Sequence, residues 1–174
     1  MHTFEYVRQK SPLLFSAILG ATAKFFNKEV FPSIWAHAQR LVSRVVEQGA
    51  CSPPIIQALL ILVYWKQPND RSAWIKTGLA VRMGYQLGWH NGWTTPMPED
   101  PILYRERLDA QRTWFCCVAF DKTYAGVFNL PATIRAHEFG DMESWVYEHD
   151  HLDISNDLRL CCCLQWVSFS SSGN

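Results

Sequence analysis

The sequence has little charge and no excess of either sign. Its 174 residues include 16 Lys and Arg and 16 Asp and Glu, so the formal net charge is zero, and charged residues make up only 18% of the chain. No block of about five or six basic residues occurs, whereas a nucleic-acid-binding surface needs concentrated positive charge. The sequence therefore predicts that this chain does not bind DNA by itself.

Long hydrophobic runs are also missing. The longest apolar stretch, Ile55 to Trp65, contains Gln57 and is about half of the ~20 residues that cross a bilayer. Such a stretch is typical of a helix buried inside a protein. We expect no membrane segment.

The cysteine spacing excludes the common zinc sites. The six cysteines are Cys51, Cys116, Cys117, Cys161, Cys162 and Cys163. Adjacent cysteines on a helix diverge by about 100°, and a structural zinc site needs pairs separated by about two to four residues on turns. We therefore expect reduced, buried thiols that pack as small apolar groups, with no metal and no cofactor in this chain. A palmitoylated or redox-active triplet at positions 161–163 is the alternative.

The histidines do not form a catalytic pattern. His149 and His151 lie in the string EHDHLD, whose spacing of two suits an extended segment, so a solvated loop is favoured over a metal site. His37, between Trp35 and Arg40, is interpreted as a structural histidine and not as a ligand. The sequence contains no HExxH, no GxSxG and no Gly-rich phosphate loop. An α-helical enzyme is therefore the least favoured interpretation.

Helix signals occur along most of the chain. Ser-Pro pairs at residues 11–12 and 52–53 each precede an apolar segment, and Gly49 can end the helix that starts near Pro32. No segment shows strand alternation bounded by hairpin turns. The sequence predicts an all-α fold without a sheet, a single bundle of about six or seven helices. Its predicted parts are an N-terminal lead (1–10), a helical domain (11–167) and a polar tail (168–174).

The segment from Arg105 to Lys122 predicts a helix in two environments. Its first half is charged, and its second half begins with seven consecutive apolar residues, Trp114 to Phe120. An apolar run at about 100° per residue faces every direction, so other helices must surround it. Arg112 lies close to the apolar stripe, where a charge must be paired or functional. The preceding helix, from Asp70 to His90, contains three glycines, which predict a close approach to this segment.

The arginines of these two helices allow two interpretations. Arg71, Arg82, Arg105, Arg107 and Arg112, together with Asp70, Glu106, Asp109 and Asp121, can form ion pairs between helices. Alternatively, part of the arginine set lines a cavity for an acidic small molecule with Trp74, Tyr85, Trp89 and Trp114 as its walls. The structural interpretation is the favoured one.

Four strings carry a resemblance to a known family. They are DRSAW (70–74), GLAVRMGYQLGWH (78–90), RERLDAQRTWFCCVAFDK (105–122) and NLPATI (129–134). Their order and spacing resemble the middle homology region, or fungal-specific transcription factor domain, of fungal zinc-cluster regulators. The matching positions are Arg82, Leu87, Gly88, Trp89, His90, Glu106, Arg107, Arg112, Trp114, Phe115, Asp121 and Pro131. Trp89 stands where leucine is usual, and Asn129-Leu130 where a Gly-Arg pair often precedes the proline. The likeness extends from about Ser11 to Asp157.

The resemblance implies a regulatory domain, a fragment of a nuclear transcription factor that controls transcription by RNA polymerase II. DNA recognition and zinc would then belong to a missing N-terminal cysteine cluster. The implied partners are the transcription machinery or regulatory proteins, and a small-molecule effector. Six residues are predicted to build the inter-helix core or an effector pocket, without being catalytic: Arg82, His90, Arg105, Arg112, Trp114 and Asp121. The alternative function is a protein-interaction scaffold or truncated paralogue without its own DNA binding.

Overall fold

The computed structural model describes residues 3–93, 95–148 and 154–171, and within these ranges the chain contains helices and no β-strand. The α-helices are α1 (Phe4–Lys10), α2 (Pro12–Phe26), α3 (Phe31–Gln48), α4 (Pro53–Tyr64), α5 (Ala73–Gln86), α6 (Pro101–Phe128), α7 (Met142–Glu148) and α8 (Ile154–Ser171). Two 3-10 helices, Trp89–Asn91 and Ala136–Glu138, precede and follow α6. The predicted all-α class is confirmed, with eight α-helices in the described ranges where about six or seven were expected.

Local sequence signals set several helix ends. The Ser11 hydroxyl accepts a hydrogen bond from the Leu14 N–H at 3.3 Å, and Pro12 occupies the first turn of α2. Gly49 ends α3 with a φ of 61°, a left-handed conformation that glycine adopts without steric cost. The sequence prediction of these ends is confirmed.

Two chain ends are more helical than the sequence predicted. The expected lead at residues 1–10 contains α1, in which Thr3 caps the helix by accepting from the Tyr6 N–H at 3.3 Å. At the other end, α8 continues to Ser171, so residues 168–171 of the expected polar tail are helical. A cap, or continuity with an established helix, stabilises polar segments that composition alone assigns to coil.

The two central helices have different lengths from those predicted. The Asp70 to His90 helix is divided, because α5 ends at Gln86 and Gly88 has a φ of 77° before the 3-10 turn. The next helix starts earlier than Arg105, since the Asp100 carboxylate accepts from the N–H groups of Ile102 and Leu103 at 2.8 and 3.0 Å. Helix α6 therefore has 28 residues.

The helices group into two compact units, Met1–Met83 and Gly84–Asn174, where the sequence predicted one bundle. In the first unit, α2 packs against α1, α3 and α4. Its core consists of Val7, Leu13, Leu14, Ala17, Ala38, Ala58 and Leu62. Small residues allow these helices to approach closely: a Cβ at Gly20 would lie 3.1 Å from the Trp35 ring.

In the second unit, α6 packs against α8, and α8 packs against α7. Four of the seven residues in the apolar run of α6 are buried, Trp114, Phe115, Cys117 and Val118. The other three, Cys116, Ala119 and Phe120, are half-buried, so the predicted enclosure is partial. None of the helices in the described ranges combines the length and apolar character needed to cross a bilayer.

Candidate functional site

The second unit contains a concave site of about 740 Å³, which we call the aromatic cleft. It is lined by the 3-10 helix Trp89–Asn91 and the loop after it, by Ala136–Glu138 and the residues after it, by α7, and by two residues of α6. Its aromatic lining residues are Trp93, Phe115, Phe139 and Trp145. The volume lies within the range of small-molecule pockets.

Two buried rings form one wall of the cleft. Phe115 of α6 and Trp145 of α7 meet edge to face, with their ring centroids 5.1 Å apart. The Trp145 Nε1–H donates to Oε1 of Gln111 at 3.0 Å, so the indole has a polar partner inside the unit. These contacts fix α7 against α6.

Arg107 holds the loop that contributes Trp93. Its guanidinium donates from Nη2 to the carbonyl oxygen and the hydroxyl of Thr95, at 3.1 and 2.8 Å. The guanidinium carbon also lies 4.7 Å from the centroid of the Trp93 ring, a cation–π distance. The loop is thereby tied to α6.

Glu138 lines the cleft and is its main polar junction. Its Oε2 accepts from the Tyr85 hydroxyl at 2.9 Å and from the Arg135 N–H at 2.6 Å. Its backbone carbonyl accepts from the Trp114 Nε1–H at 2.9 Å. Burial alone would raise the pKa of Glu138, but these hydrogen bonds to its carboxylate lower the pKa below the ordinary value. The carboxylate is therefore ionised at neutral pH.

The same junction affects Tyr85. Burial, followed by the hydrogen bond to Glu138 and the charge of that group, raises the pKa of Tyr85 to about 12. The phenol keeps its proton at neutral pH and remains a hydrogen-bond donor.

Asp121 has a connecting role in the segment after α6. It is 1% exposed, and its Oδ2 accepts from the N–H groups of Thr133 and Ile134 at 2.7 and 2.9 Å. A buried carboxylate is stable only when such donors satisfy it. Asp121 thus fixes the start of the segment that leads to Glu138.

Arg112 is part of a two-point ion pair. Its Nε and Nη2 donate to Oδ1 and Oδ2 of Asp157 in α8, each at 2.7 Å. The side chain of Asp157 is 4% exposed and that of Arg112 is 34% exposed. The guanidinium carbon also lies 5.9 Å from the Trp145 ring centroid. This geometry agrees with the interpretation of Arg112 as an ion-pair residue, although its partner is in α8.

The structure brings some of the six predicted residues together. His90 and Trp114 both contact the Tyr85 ring, at centroid distances of 4.9 and 5.6 Å. The predicted close approach is confirmed at Gly84, where a Cβ would lie 2.5 Å from Cζ3 of Trp114. Nδ1 of His90 is buried and has no hydrogen-bond partner in the described part of the chain.

The other predicted residues lie elsewhere. Arg105 is exposed on α6, and Asp121 contacts the segment at 133–134. Arg82 is exposed in the first unit, where its Nη1 would lie 3.1 Å from a Cβ at Gly78. Of the six, His90 lines the aromatic cleft.

Several residues of the site were not predicted, because their partners are far away in the sequence. Asp157 is 45 residues from Arg112, and Glu138 is 53 residues from Tyr85. Gln111 and Trp145 are paired across 34 residues. A useful signal for Asp157 was its place in the first turn of α8, where acidic residues are favoured by the helix dipole.

The cysteine prediction needs a correction. Cys117 and Cys161 are buried, but Cys162 and Cys163 are exposed, because three consecutive helical positions cannot all face one core. Burial raises the pKa of Cys116 to about 11 and that of Cys117 well above its ordinary value. Both thiols of α6 are therefore protonated and unreactive at neutral pH.

No cluster of three or more His, Cys, Asp or Glu residues is placed for metal binding in the ranges that the structure covers. His149 and His151, the candidates of the EHDHLD string, lie outside the described residues. His37 is exposed and lines a groove of about 460 Å³ in the first unit with residues of α1, α2 and α3.

Comparison with known proteins gives a family match and a curated relative. Residues 7–140 match the family described as Fungal specific transcription factor domain. Protein priB of Lentinula edodes is 31% identical over 126 residues, which is 71% of this chain and 20% of priB. The matched segment thus spans about a fifth of the length of that relative. No solved structure matches.

Proposed function

Because the chain belongs to the fungal-specific transcription factor domain family, we propose that it is a non-catalytic regulatory domain of a fungal regulator of transcription by RNA polymerase II. The observation that carries the proposal is the family match over residues 7–140. That range includes most of the first unit, from Val7 onward, and the contacts of Trp114, Asp121 and Glu138. The family is one of regulatory domains, not of enzymes.

The proposal assigns DNA recognition to another region of a longer protein. A zinc cluster in that region would bind DNA in the nucleus, and this domain would act on the transcription machinery or on regulatory proteins. Two observations support this division. The chain has no net charge, and Protein priB extends well beyond the segment that it shares with this chain.

A reporter assay tests the regulatory role. The chain is fused to a heterologous DNA-binding domain and expressed in a fungal host with a reporter gene under the matching binding site. We expect the fusion to change reporter expression at least threefold, in either direction, relative to the DNA-binding domain alone. Equal expression from the two, with both proteins present in the nucleus at the same level, contradicts the proposal.

A protein-interaction scaffold is the second candidate, and exposed aromatics in the first unit favour it. Phe25, Phe26 and Tyr64 are 56%, 86% and 66% exposed. Phe25 and Tyr64 both contact the Trp65 ring, at centroid distances of 5.0 and 4.8 Å, and exposed rings grouped in this way are typical of docking surfaces. A scaffold without regulatory action would leave the reporter unchanged, and would lose partner capture when Phe25→Ser and Tyr64→Ser are combined. A regulatory domain whose action does not use this surface would keep its reporter effect in the same double variant.

A further inference from the structure

The aromatic cleft has the size and surface of a small-molecule site. Its volume is about 740 Å³, and ligand pockets of roughly 300–1,000 Å³ bury most of a drug-sized molecule. Phe115 and Trp145 are 2% and 7% exposed, so both rings are buried in the unit and each presents a small part of its surface to the cleft. Trp93 and Phe139 add two further rings to the lining.

The formally charged side chains of the lining are all acidic, and His90 and His137 are its other titratable side chains. Three lining residues carry carboxylates, Glu138, Asp141 and Glu148, and none of the described lining residues is Lys or Arg. Hydrogen bonds from the Ser144 hydroxyl and backbone lower the pKa of Asp141, and Glu138 has a lowered pKa as well. Both carboxylates are ionised at neutral pH and make the local potential negative.

Helix α7 presents acid and aromatic groups on one face. Asp141, Trp145 and Glu148 are spaced by four and three residues, which places them on the same side of the helix and its N-terminal cap. The indole is thus flanked by carboxylates along the helix axis. A ligand with an apolar body and a positive group would match both features.

The nearby cations are engaged outside the lining. Arg107 contacts Thr95 and the Trp93 ring, and Arg112 is paired with Asp157. The Lys122 ammonium lies 5.0 Å from the Phe139 centroid. An acidic ligand would therefore face three carboxylates without a lining arginine or lysine, in contrast to the ligand expected from the arginine set.

We propose that the aromatic cleft binds an organic cation, an amine carried on an aromatic or aliphatic body. That this cation would act as the effector of a regulatory domain rests on the proposed function. The cleft provides ring surface for the apolar body and the potential of Glu138, Asp141 and Glu148 for the ammonium group.

Three indole compounds test the charge preference because they share one ring system. Tryptamine is cationic at neutral pH, indole-3-ethanol is neutral and indole-3-acetate is anionic. Isothermal titration of the purified 174-residue chain is expected to show tryptamine binding at least tenfold more tightly than indole-3-acetate, with indole-3-ethanol between them. Equal or tighter binding of indole-3-acetate, or no heat with millimolar tryptamine, would overturn the inference.

A matched pair of variants on α7 locates the binding. Glu148→Gln removes a charge from the lining, whereas Glu143→Gln removes an exposed charge of the same helix that does not line the cleft. Glu148→Gln is expected to weaken tryptamine binding about threefold, as for one partly solvated charge, and Glu143→Gln to leave it unchanged. Equal effects of the two variants would overturn the assignment to the cleft.

The binding assay and the reporter assay can fail separately. Reporter activity without tryptamine binding would reject the cation inference and leave the regulatory function in place. Tryptamine binding without reporter activity would reject the regulatory function and leave the cleft as a ligand site.

Discussion

The two units of this chain are specified by different interactions. Most helix contacts of the first unit are between small and aliphatic side chains, and Ala17, Ala38 and Ala58 are each 0% exposed. Lys24 adds a polar contact between distant segments, since its Nζ donates to the carbonyl oxygens of Trp65 and Lys66 at 2.9 and 3.1 Å. The second unit is built around Trp114 and Phe115, and side-chain hydrogen bonds and an ion pair join segments that are distant in sequence.

This difference indicates which substitutions should destabilise each unit. Apolar burial is non-directional, so a core of alanine and leucine tolerates substitutions that conserve volume. Buried polar groups need partners at defined positions, and removal of one partner leaves the other unsatisfied. We expect isosteric apolar changes to be mild in the first unit and the loss of polar partners to be severe in the second.

The largest expected effect is at Asp121. Asp121→Leu conserves approximate size but leaves the N–H groups of Thr133 and Ile134 without their acceptor. Two charge-assisted hydrogen bonds are lost, so the free energy of unfolding should fall by about 4 kcal/mol. Leu62→Met in the first unit should cost less than about 1.5 kcal/mol. Urea denaturation of both variants measures the contrast.

Asp121→Asn is the control for this contrast. Its carbonyl oxygen can accept from both N–H groups, so it should retain more than half of the stability that Asp121→Leu loses. Equal losses in Asp121→Leu and Leu62→Met would remove the distinction between the two units.

The ion pair between α6 and α8 gives the next largest effect. Arg112→Ala leaves the nearly buried carboxylate of Asp157 without its partner, and should cost about 3 kcal/mol. Asp157→Ala should cost less, about 2 kcal/mol, because the guanidinium of Arg112 is one-third exposed and water can solvate it. Thermal and urea unfolding measure both losses.

The double variant separates pairing from other contributions. Arg112→Ala with Asp157→Ala should cost less than the sum of the single changes, since no buried charge remains unpaired. A strictly additive result would show that the two side chains act independently, contrary to their contacts of 2.7 Å.

Sequence reasoning was successful where structure depends on local pattern. The start of α2 follows from Ser11-Pro12, and the burial of most of the apolar run in α6 follows from its seven apolar residues. The helical periodicity places Arg112 close to the apolar stripe and therefore predicts that it needs a partner. These inferences depend on helix periodicity and capping alone.

The cleft could not be predicted in the same way. It depends on Gln111, Glu138 and Trp145, which come together from α6, a 3-10 turn and α7. The hydrophobic periodicity of a sequence shows on which face of a helix a side chain lies. It does not show which other helix, or which face of that helix, the side chain contacts. Arginines are frequent in the sequence of α5 and α6, and for this reason the sequence suggests an acidic ligand as the alternative to ion pairs between helices. The lining of the cleft, however, depends on contacts between distant segments, which the sequence pattern does not give.

The close approach of α5 to α6 gives a smaller but sharper test within the second unit. Gly84→Ala places a methyl group about 2.5–2.8 Å from the Trp114 ring, which is fully buried and bonded to Glu138. The required displacement should cost about 2 kcal/mol. Gly126→Ala in α6 meets open space and should stabilise the protein by about 0.5–1 kcal/mol through reduced backbone entropy.

Calorimetric melting of the two glycine variants checks the sign of the difference. Stabilisation by Gly84→Ala would mean that the Trp114 ring moves aside without loss. In that case the second unit would be no more tightly specified at this position than the first.

The smallest expected effect is at the Tyr85 hydroxyl. Tyr85→Phe removes the hydrogen bond to Glu138 and should cost about 1 kcal/mol at neutral pH. Because the pKa of Glu138 is lowered, its carboxylate stabilises the folded protein above pH 4.5, the ordinary pKa of the group. This stabilisation is lost as the pH falls through the folded-state pKa. Because the pKa of Tyr85 is raised, its protonated hydroxyl stabilises the folded protein below pH 10.0, the ordinary pKa of the group. This stabilisation is lost as the pH rises towards the folded-state pKa of about 12.

The difference in unfolding free energy between the native protein and Tyr85→Phe should therefore be largest from about pH 5 to pH 10 and decline on both sides. Urea denaturation across this pH series measures it. A difference that stays constant to pH 12 would show that the phenol and Glu138 are not coupled. Directional polar contacts would then contribute less to the stability of the second unit than its geometry indicates. The Tyr85 hydroxyl would gain no more from its bond to Glu138 in the folded chain than from its bond to water in the unfolded chain.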